Sequence, residues 1–184
     1  MTTERRPALE LRALGGKSPR LEGYAAVFDT ASEDLGGFVE FVRPGAFRRS
    51  LQSNRLDPLA LVHHLPHLVL GRRSSGTLKL SEDSRGLHFE VDLPDTTTAR
   101  DLAVSVERGD IRGASFAFTV AADGDRWNML GDAITRDLLD VDLHEITITA
   151  TPAYPDTEVA RRALASLKPQ RRSVLLARRF LESC

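Results

Sequence analysis

Residues 87–93 read Leu87-His-Phe-Glu-Val-Asp-Leu93, so apolar and polar side chains alternate along the whole stretch. A period of two places all of the apolar side chains on one face of a β-strand. The segment Thr77-Leu-Lys-Leu80 has the same pattern, and the turn-forming residues Glu82-Asp-Ser-Arg-Gly86 separate the two segments. The sequence therefore predicts a β-hairpin with one buried face.

The periodicity changes immediately after this hairpin. Pro94 interrupts the strand, and Asp95 is a candidate N-cap for a helix. The apolar residues that follow recur at helical spacing: Ala99, Leu102, Ala103 and Val106. This spacing predicts a helix over residues 96–108, which Gly109 ends.

Strand patterns return beyond the predicted helix. Along residues 114–120, the apolar Phe116, Phe118 and Val120 alternate with the smaller Ser115, Ala117 and Thr119. The Ser115 side chain is therefore predicted to face away from the phenylalanines. Residues 134–149 are typical of one or two further strands. Many short strands with few helices predict a β-rich α+β fold, either a β-barrel or a strongly bent sheet with helices around it.

Composition restricts the class of protein. The chain has 184 residues, of which 41% are hydrophobic, so it can bury the core of one domain. Its 25 Lys and Arg residues balance 26 Asp and Glu residues, so a dedicated nucleic-acid-binding protein is not expected. The single cysteine, Cys184, excludes a disulfide framework within the chain and a Cys-rich zinc site. Since no signal peptide or long apolar stretch is visible, we expect a soluble, cytoplasmic protein without membrane contact.

The residues alone are compatible with two kinds of site. Ser115, a central histidine, and either Glu145 or His144 could form a nucleophile, a base and a group that orients the base. The alternative is a metal site, because the segment Leu59-Ala-Leu-Val-His-His-Leu-Pro-His67 holds three of the five histidines. Pro66 interrupts this segment and no helix is predicted there, so the histidine spacing does not match the usual helical ligand pair.

Several motifs that follow one another along the chain closely resemble, taken together, those of the prohead (procapsid) maturation protease family of tailed phages. The resemblance extends from about Leu21 to Ala160. The motifs that carry it are Gly23-Tyr-Ala-Ala-Val-Phe28, Gly36-Gly37, Val42-Arg-Pro-Gly-Ala-Phe47, Leu70-Gly-Arg72, Gly76-Thr-Leu78, Gly86-Leu-His-Phe-Glu-Val-Asp-Leu-Pro-Asp95, Gly109-Asp-Ile-Arg-Gly-Ala-Ser-Phe-Ala-Phe118 and Pro152-Ala-Tyr-Pro-Asp-Thr157.

The resemblance implies a serine endopeptidase with a fold similar to the herpesvirus assemblins, a β-barrel surrounded by helices. Such enzymes enter the procapsid and digest the scaffold, often the scaffolding segment of the major capsid protein, before DNA is packaged. That capsid protein is therefore the implied partner, and dimerisation or higher oligomerisation is expected by analogy with assemblins. Members of the family also occur in prophages and gene transfer agents. No cofactor is implied.

The resemblance also assigns the site residues. The family's catalytic histidine stands in an Asn-His-Asp-like box before the Leu-Gly-Arg run, which implies His64 as the base. Here His63 replaces the Asn and Leu65 the Asp. The intact Gly113-Ala-Ser-Phe-Ala-Phe118 motif implies Ser115 as the nucleophile. The acidic third member corresponds to Glu145, and His144 is the runner-up because assemblins use a histidine in that role.

The resemblance and the composition also divide the chain. We expect a flexible N-terminal segment (residues 1–20), the protease domain (residues 21–168) and a basic amphipathic helix or tail (residues 169–184). The last segment either packs on its own domain or docks the chain onto an acidic scaffold. Two alternative functions stay open: a catalytically inactive capsid assembly factor that binds the scaffold, and a metal hydrolase that uses His63, His64 and His67.

Overall fold

A computed structural model describes residues 4–8, 10–14, 19–130 and 133–150, with side chains described over 19–129 and 133–150. These residues form twelve strands and two helices. The strands are β1 (Glu4–Ala8), β2 (Glu10–Leu14), β3 (Arg20–Val27), β4 (Val39–Val42), β5 (Leu59–Val62), β6 (Leu65–Arg72), β7 (Leu78–Glu82), β8 (Gly86–Asp92), β9 (Gly113–Val120), β10 (Asp125–Leu130), β11 (Ala133–Leu138) and β12 (Val141–Thr149). The helices are α1 (Arg48–Gln52) and α2 (Thr97–Glu107).

The strands form three sheets. The first sheet, whose strands and turns carry His64, Ser115 and Glu145, has the order β1-β9-β12-β5-β6, with β12 antiparallel to β9 and parallel to β5. The second sheet has the order β2-β3-β8-β7, and the third β10-β11-β4. Pro7 is accommodated in β1 because β1 is the edge strand of its sheet, where one backbone N–H is not needed for pairing.

The β9 strand separates the main core from a polar face. On one face, Phe116 and Phe118 are fully buried and stack with ring centroids 5.2 Å apart, while Phe47 meets Phe116 edge-on at 5.4 Å. These rings belong to one cluster that also includes Phe89 of β8, so the first two sheets pack through it. Ser115 faces the other way, as the alternation predicts. The face of β9 that carries Ser115 and Thr119, called the polar face below, is therefore backed by the packed apolar core.

The hairpin and the helix predicted from the sequence are both present. The strands β7 and β8 pair antiparallel, and α2 ends before Gly109, which has φ +77°. The N-cap prediction was wrong by one residue. Thr96, with an extended backbone, accepts the Ala99 N–H at 3.3 Å, whereas Asp95 lies one residue too early and pairs with Arg100.

The β-rich α+β class is confirmed by the twelve strands and two helices of the described residues. Each of the three sheets, as those strands form it, keeps two edge strands, so none of them closes on itself. The strands β1 and β2 lie within residues 1–20 and were not predicted from the sequence pattern. The predicted C-terminal segment, residues 169–184, lies outside the described residues. Neither described helix is long and apolar enough to cross a membrane.

Gly86, at the start of β8, permits a close backbone approach between β8 and β3. A Cβ added at this position would lie 2.0 Å from the carbonyl oxygen of Ala26 and 3.1 Å from Cα of Val27. Since backbone atoms cannot move aside like the end of a flexible side chain, Gly86→Ala is expected to lower the free energy of unfolding by about 1–3 kcal/mol. Urea denaturation measures this loss. Ser84→Ala, at an exposed position of the same turn, is the control and is expected to be near neutral.

Candidate active site

The Ser115 hydroxyl lies on the polar face of β9. The residue is fully buried. Among the described residues its Oγ has no hydrogen-bond partner, which is unusual for a buried hydroxyl. In the sheet, Ser115 is directly opposite Thr147 of β12, so both side chains stand on the same face.

His64 lies in the tight turn that joins β5 to β6. Val62 pairs with Leu65, so His63 and His64 are the two residues of the hairpin loop. Both have positive φ, at 50° and 57° respectively, as a two-residue turn of the I′ type requires. Asn is favoured in such turns because it tolerates the left-handed region, and histidine is also enriched there. His63 thus satisfies the backbone requirement of the turn, as the Asn that the resemblance leads one to expect there would also do.

Glu145 of β12 meets the His64 imidazole. The distance from Glu145 Oε1 to His64 Nδ1 is 2.5 Å, and the two side chains are only 15% and 13% exposed. A carboxylate on Nδ1 holds the proton there and leaves Nε2 as the acceptor. Nε2 of His64 is buried and has no hydrogen-bond partner among the described residues. The carboxylate therefore orients the imidazole through Nδ1, and no described side chain competes for Nε2.

A β-bulge at His144 decides which side chains of β12 reach this face. Leu143 is opposite Phe118 and Glu145 is opposite Ala117, so His144 is the extra residue. Before the bulge the odd-numbered Leu143 points into the core. After the bulge the even-numbered Ile146 does, and Glu145 joins Ser115 on the polar face. The bulge therefore re-aims the carboxylate toward the histidine.

The bulge is itself held by hydrogen bonds. Ser50 of α1 is fully buried, and its Oγ accepts the N–H of Leu143 at 2.9 Å. His144 lies away from His64 in this arrangement. Its Nε2 is 3.1 Å from Oγ1 of Thr119. Of the two candidates for the third position, the structure brings Glu145, and not His144, to His64.

Thr147 connects the elements that carry the three candidates. It is opposite Ser115 on β9 and opposite Leu61 on β5, and adjacent strands lie roughly 4.8 Å apart. Its Oγ1 accepts the backbone N–H of His64 at 2.9 Å. The His64 side chain therefore runs back over β12, from Thr147 to Glu145, beside the strand that carries Ser115. The serine and the imidazole do not hydrogen-bond to each other here, which is common before substrate binds.

The remaining histidines of the segment are placed differently. Nδ1 of His63 is 3.0 Å from Oγ1 of Thr149, and both His63 and His67 are exposed. Over the parts of the chain that the structure describes, no three His, Cys, Asp or Glu side chains are grouped so that they could hold a metal ion.

Thr147 and Ser50 were not identified from the sequence. The signal for Thr147 is its spacing, since Glu145, Thr147 and Thr149 alternate with Ile146 and Ile148 and must share a face. Ser50 gave no comparable signal, because its role depends on a bulge in a strand that lies 93 residues away along the chain.

Comparisons with known proteins agree with the resemblance. The prohead protease of Enterobacteria phage HK97 is 33% identical over 111 residues, which are 59% of this chain and 45% of that relative. The chain thus matches less than half the length of this relative. The capsid assembly protease gp21 of bacteriophage T4 has a similar fold, with a TM-score of 0.51 at 8% identity over 80% of this chain and 99% of that one. The family model described as Caudovirus prohead serine protease matches residues 7–170, and the chain belongs to that family.

Proposed function

We propose that this chain is a serine endopeptidase that cleaves the scaffold, or the scaffolding segment of the major capsid protein, during procapsid maturation. The observation that carries the proposal is the mostly buried pair that the Glu145 carboxylate forms with the His64 imidazole, on the same sheet face as the Ser115 hydroxyl. Membership of a serine protease family supports the chemistry. The names of the relatives, a prohead protease and a capsid assembly protease, support the setting.

The first half of the reaction is acylation of Ser115. Nε2 of His64 takes the hydroxyl proton while Oγ of Ser115 attacks the scissile carbonyl carbon. The resulting imidazolium is stabilised by the Glu145 carboxylate on Nδ1. The proton on Nε2 then passes to the leaving amine, the C–N bond breaks, and the acyl group remains on Ser115.

The second half is hydrolysis of the ester. Water gives a proton to Nε2 of His64 and its oxygen attacks the acyl carbon. The proton then returns to Oγ of Ser115 as the C–O bond breaks, which releases the new carboxyl group and restores the enzyme. This sequence needs no cofactor.

The site must open before a substrate can enter. Oγ of Ser115 and Nε2 of His64 are both buried in the free chain. A scissile carbonyl reaches them only after the covering groups move, so activity is best tested where the natural partner is present. We propose that this occurs inside assembling procapsids in the host cytoplasm, with the chain acting as a dimer or higher oligomer and with a fold related to the assemblins.

Co-expression with the major capsid protein of the same phage or gene transfer agent tests the substrate. We expect intact mass spectrometry to show a capsid protein shortened at one end, and the mass gives the scissile bond. Co-expression with Ser115→Ala is the matched control and should give the full-length mass. A full-length capsid protein with the wild-type chain, in assembled procapsids that contain it, would instead support the inactive scaffold-binding alternative.

A further inference from the structure

We propose that Thr147 is a positioning residue that holds the His64 turn in place relative to Ser115; this inference rests on the proposed function. Thr147 is fully buried on β12. Its Oγ1 accepts the His64 N–H at 2.9 Å and donates to the carbonyl oxygen of Leu61 at 3.1 Å. Both bonds reach the hairpin that presents the imidazole.

The two hydrogen bonds fix the orientation of the Thr147 hydroxyl. A threonine hydroxyl has one proton and two lone pairs. Since the proton goes to Leu61, only a lone pair can face the His64 N–H, which is the arrangement that this N–H needs. The β5 carbonyl thereby orients the group that holds the turn.

The backbone at His64 benefits from such a fixed contact. Its positive φ of 57° is unusual for a residue with a side chain and persists where surrounding contacts impose it. Next to the turn, Val62 pairs with Leu65 and the His63 N–H donates to the carbonyl oxygen of Ile148 on β12 at 3.1 Å, while β6 is an irregular edge strand beyond it. Neither of these contacts satisfies the N–H of His64 itself. Without the Thr147 hydroxyl, the N–H of His64 loses the partner that ties it to the central strand.

The position of Thr147 makes this contact relevant to the chemistry. Thr147 is directly opposite Ser115 and two residues from Glu145 on the same face. A movement of the turn away from β12 would therefore change the gap between Nε2 of His64 and Oγ of Ser115. A displacement of about 1 Å at a reacting pair can cost roughly 10²-fold in rate.

The chain offers a matched control on the same strand. Thr149 lies two residues further along the same face, is also buried, and places its Oγ1 3.0 Å from Nδ1 of His63. It thus contacts the neighbouring turn residue through an imidazole that the proposed mechanism does not use. A general effect of losing a buried hydroxyl from β12 would be the same at both positions.

The test compares Thr147→Val, Thr147→Ser and Thr149→Val in the full chain co-expressed with the capsid protein. A fluorophosphonate measures the rate of serine modification, and a peptide that spans the cut site gives kcat and KM. For Thr147→Val we expect both kcat and the modification rate to fall by about 10–10²-fold, with KM changed less than about threefold. Thr147→Ser and Thr149→Val should stay within about threefold of the wild type.

The outcomes separate the two proposals. A wild-type chain that neither reacts with the fluorophosphonate nor cleaves overturns the proposed function and this inference with it. If the wild type and Thr147→Val react with the fluorophosphonate at the same rate, the positioning role alone is overturned. The same holds if Thr149→Val loses as much kcat and modification rate as Thr147→Val. If Thr147→Val does not fold, Thr147→Ala replaces it, because it removes the hydroxyl without placing a new methyl group against the turn; the same losses are expected.

Discussion

Ser115→Ala and His64→Ala are each expected to reduce cleavage of the capsid precursor by roughly 10⁴-fold or more, since a serine–histidine pair fails as a unit when either member is lost. The fold should survive the serine change. The Ser115 Oγ has no hydrogen-bond partner among the described residues, so its removal leaves no buried donor or acceptor unsatisfied there. The measurement is the rate at which the shortened capsid protein accumulates, with thermal unfolding to verify the fold.

The neighbouring histidine supplies the control for this experiment. His63→Asn keeps a side chain that tolerates the positive φ of 50° and removes the second imidazole of the turn. It should cleave at near the wild-type rate. Cleavage at that rate by Ser115→Ala would end the serine protease proposal, while a dead His63→Asn beside an active His64→Ala would move the base by one residue.

Glu145→Gln is expected to be the second most damaging change. The amide keeps the size of the side chain but loses the negative charge that stabilises the imidazolium, and it can present an N–H to the nitrogen that must keep its proton. The loss is expected to reach about 10⁴-fold in kcat, which is typical when a triad carboxylate becomes an amide.

His144→Phe is the comparison for the third position. The His144 ring contacts Thr119 rather than His64, so this variant should lose less than about tenfold. Steady-state kinetics on the cut-site peptide measure both variants. The opposite order of effects would transfer the third role to His144.

The elements that follow a single period were predictable from the sequence. The β7–β8 hairpin, α2 and β9 each repeat one pattern over at least five residues. Alternation along β9 predicted that Ser115 lies on the other face of the strand from the phenylalanines. The pairing of β1 with β9 was not predictable in this way, because it joins residues more than a hundred positions apart. The choice of pairing partners also depends on contacts between distant residues, so periodicity could not show that the described strands form three sheets, none of which closes into a barrel.

In the candidate site, too, the features that depend on local sequence were predictable and those that depend on distant residues were not. The family motifs predict His64, Ser115 and Glu145 as the site residues, but alternation alone could not choose between His144 and Glu145 as the side chain that meets His64. The choice depends on a bulge that reverses the alternation of β12 within one residue, and the N–H of Leu143 at that bulge is satisfied by Ser50 from another element. The positive φ of both turn histidines is likewise a property of the hairpin and not of the residues.

The most direct test of the serine mechanism is to locate a fluorophosphonate adduct in a preparation that is actively shortening the capsid protein. Intact mass and peptide mapping should find one adduct per chain, on the peptide that contains Ser115. The adduct should be absent from Ser115→Ala and strongly reduced in His64→Ala. An actively cleaving preparation in which Ser115 stays unmodified, or in which Ser115→Ala is modified to the same extent, would contradict the assignment of Ser115 as the nucleophile.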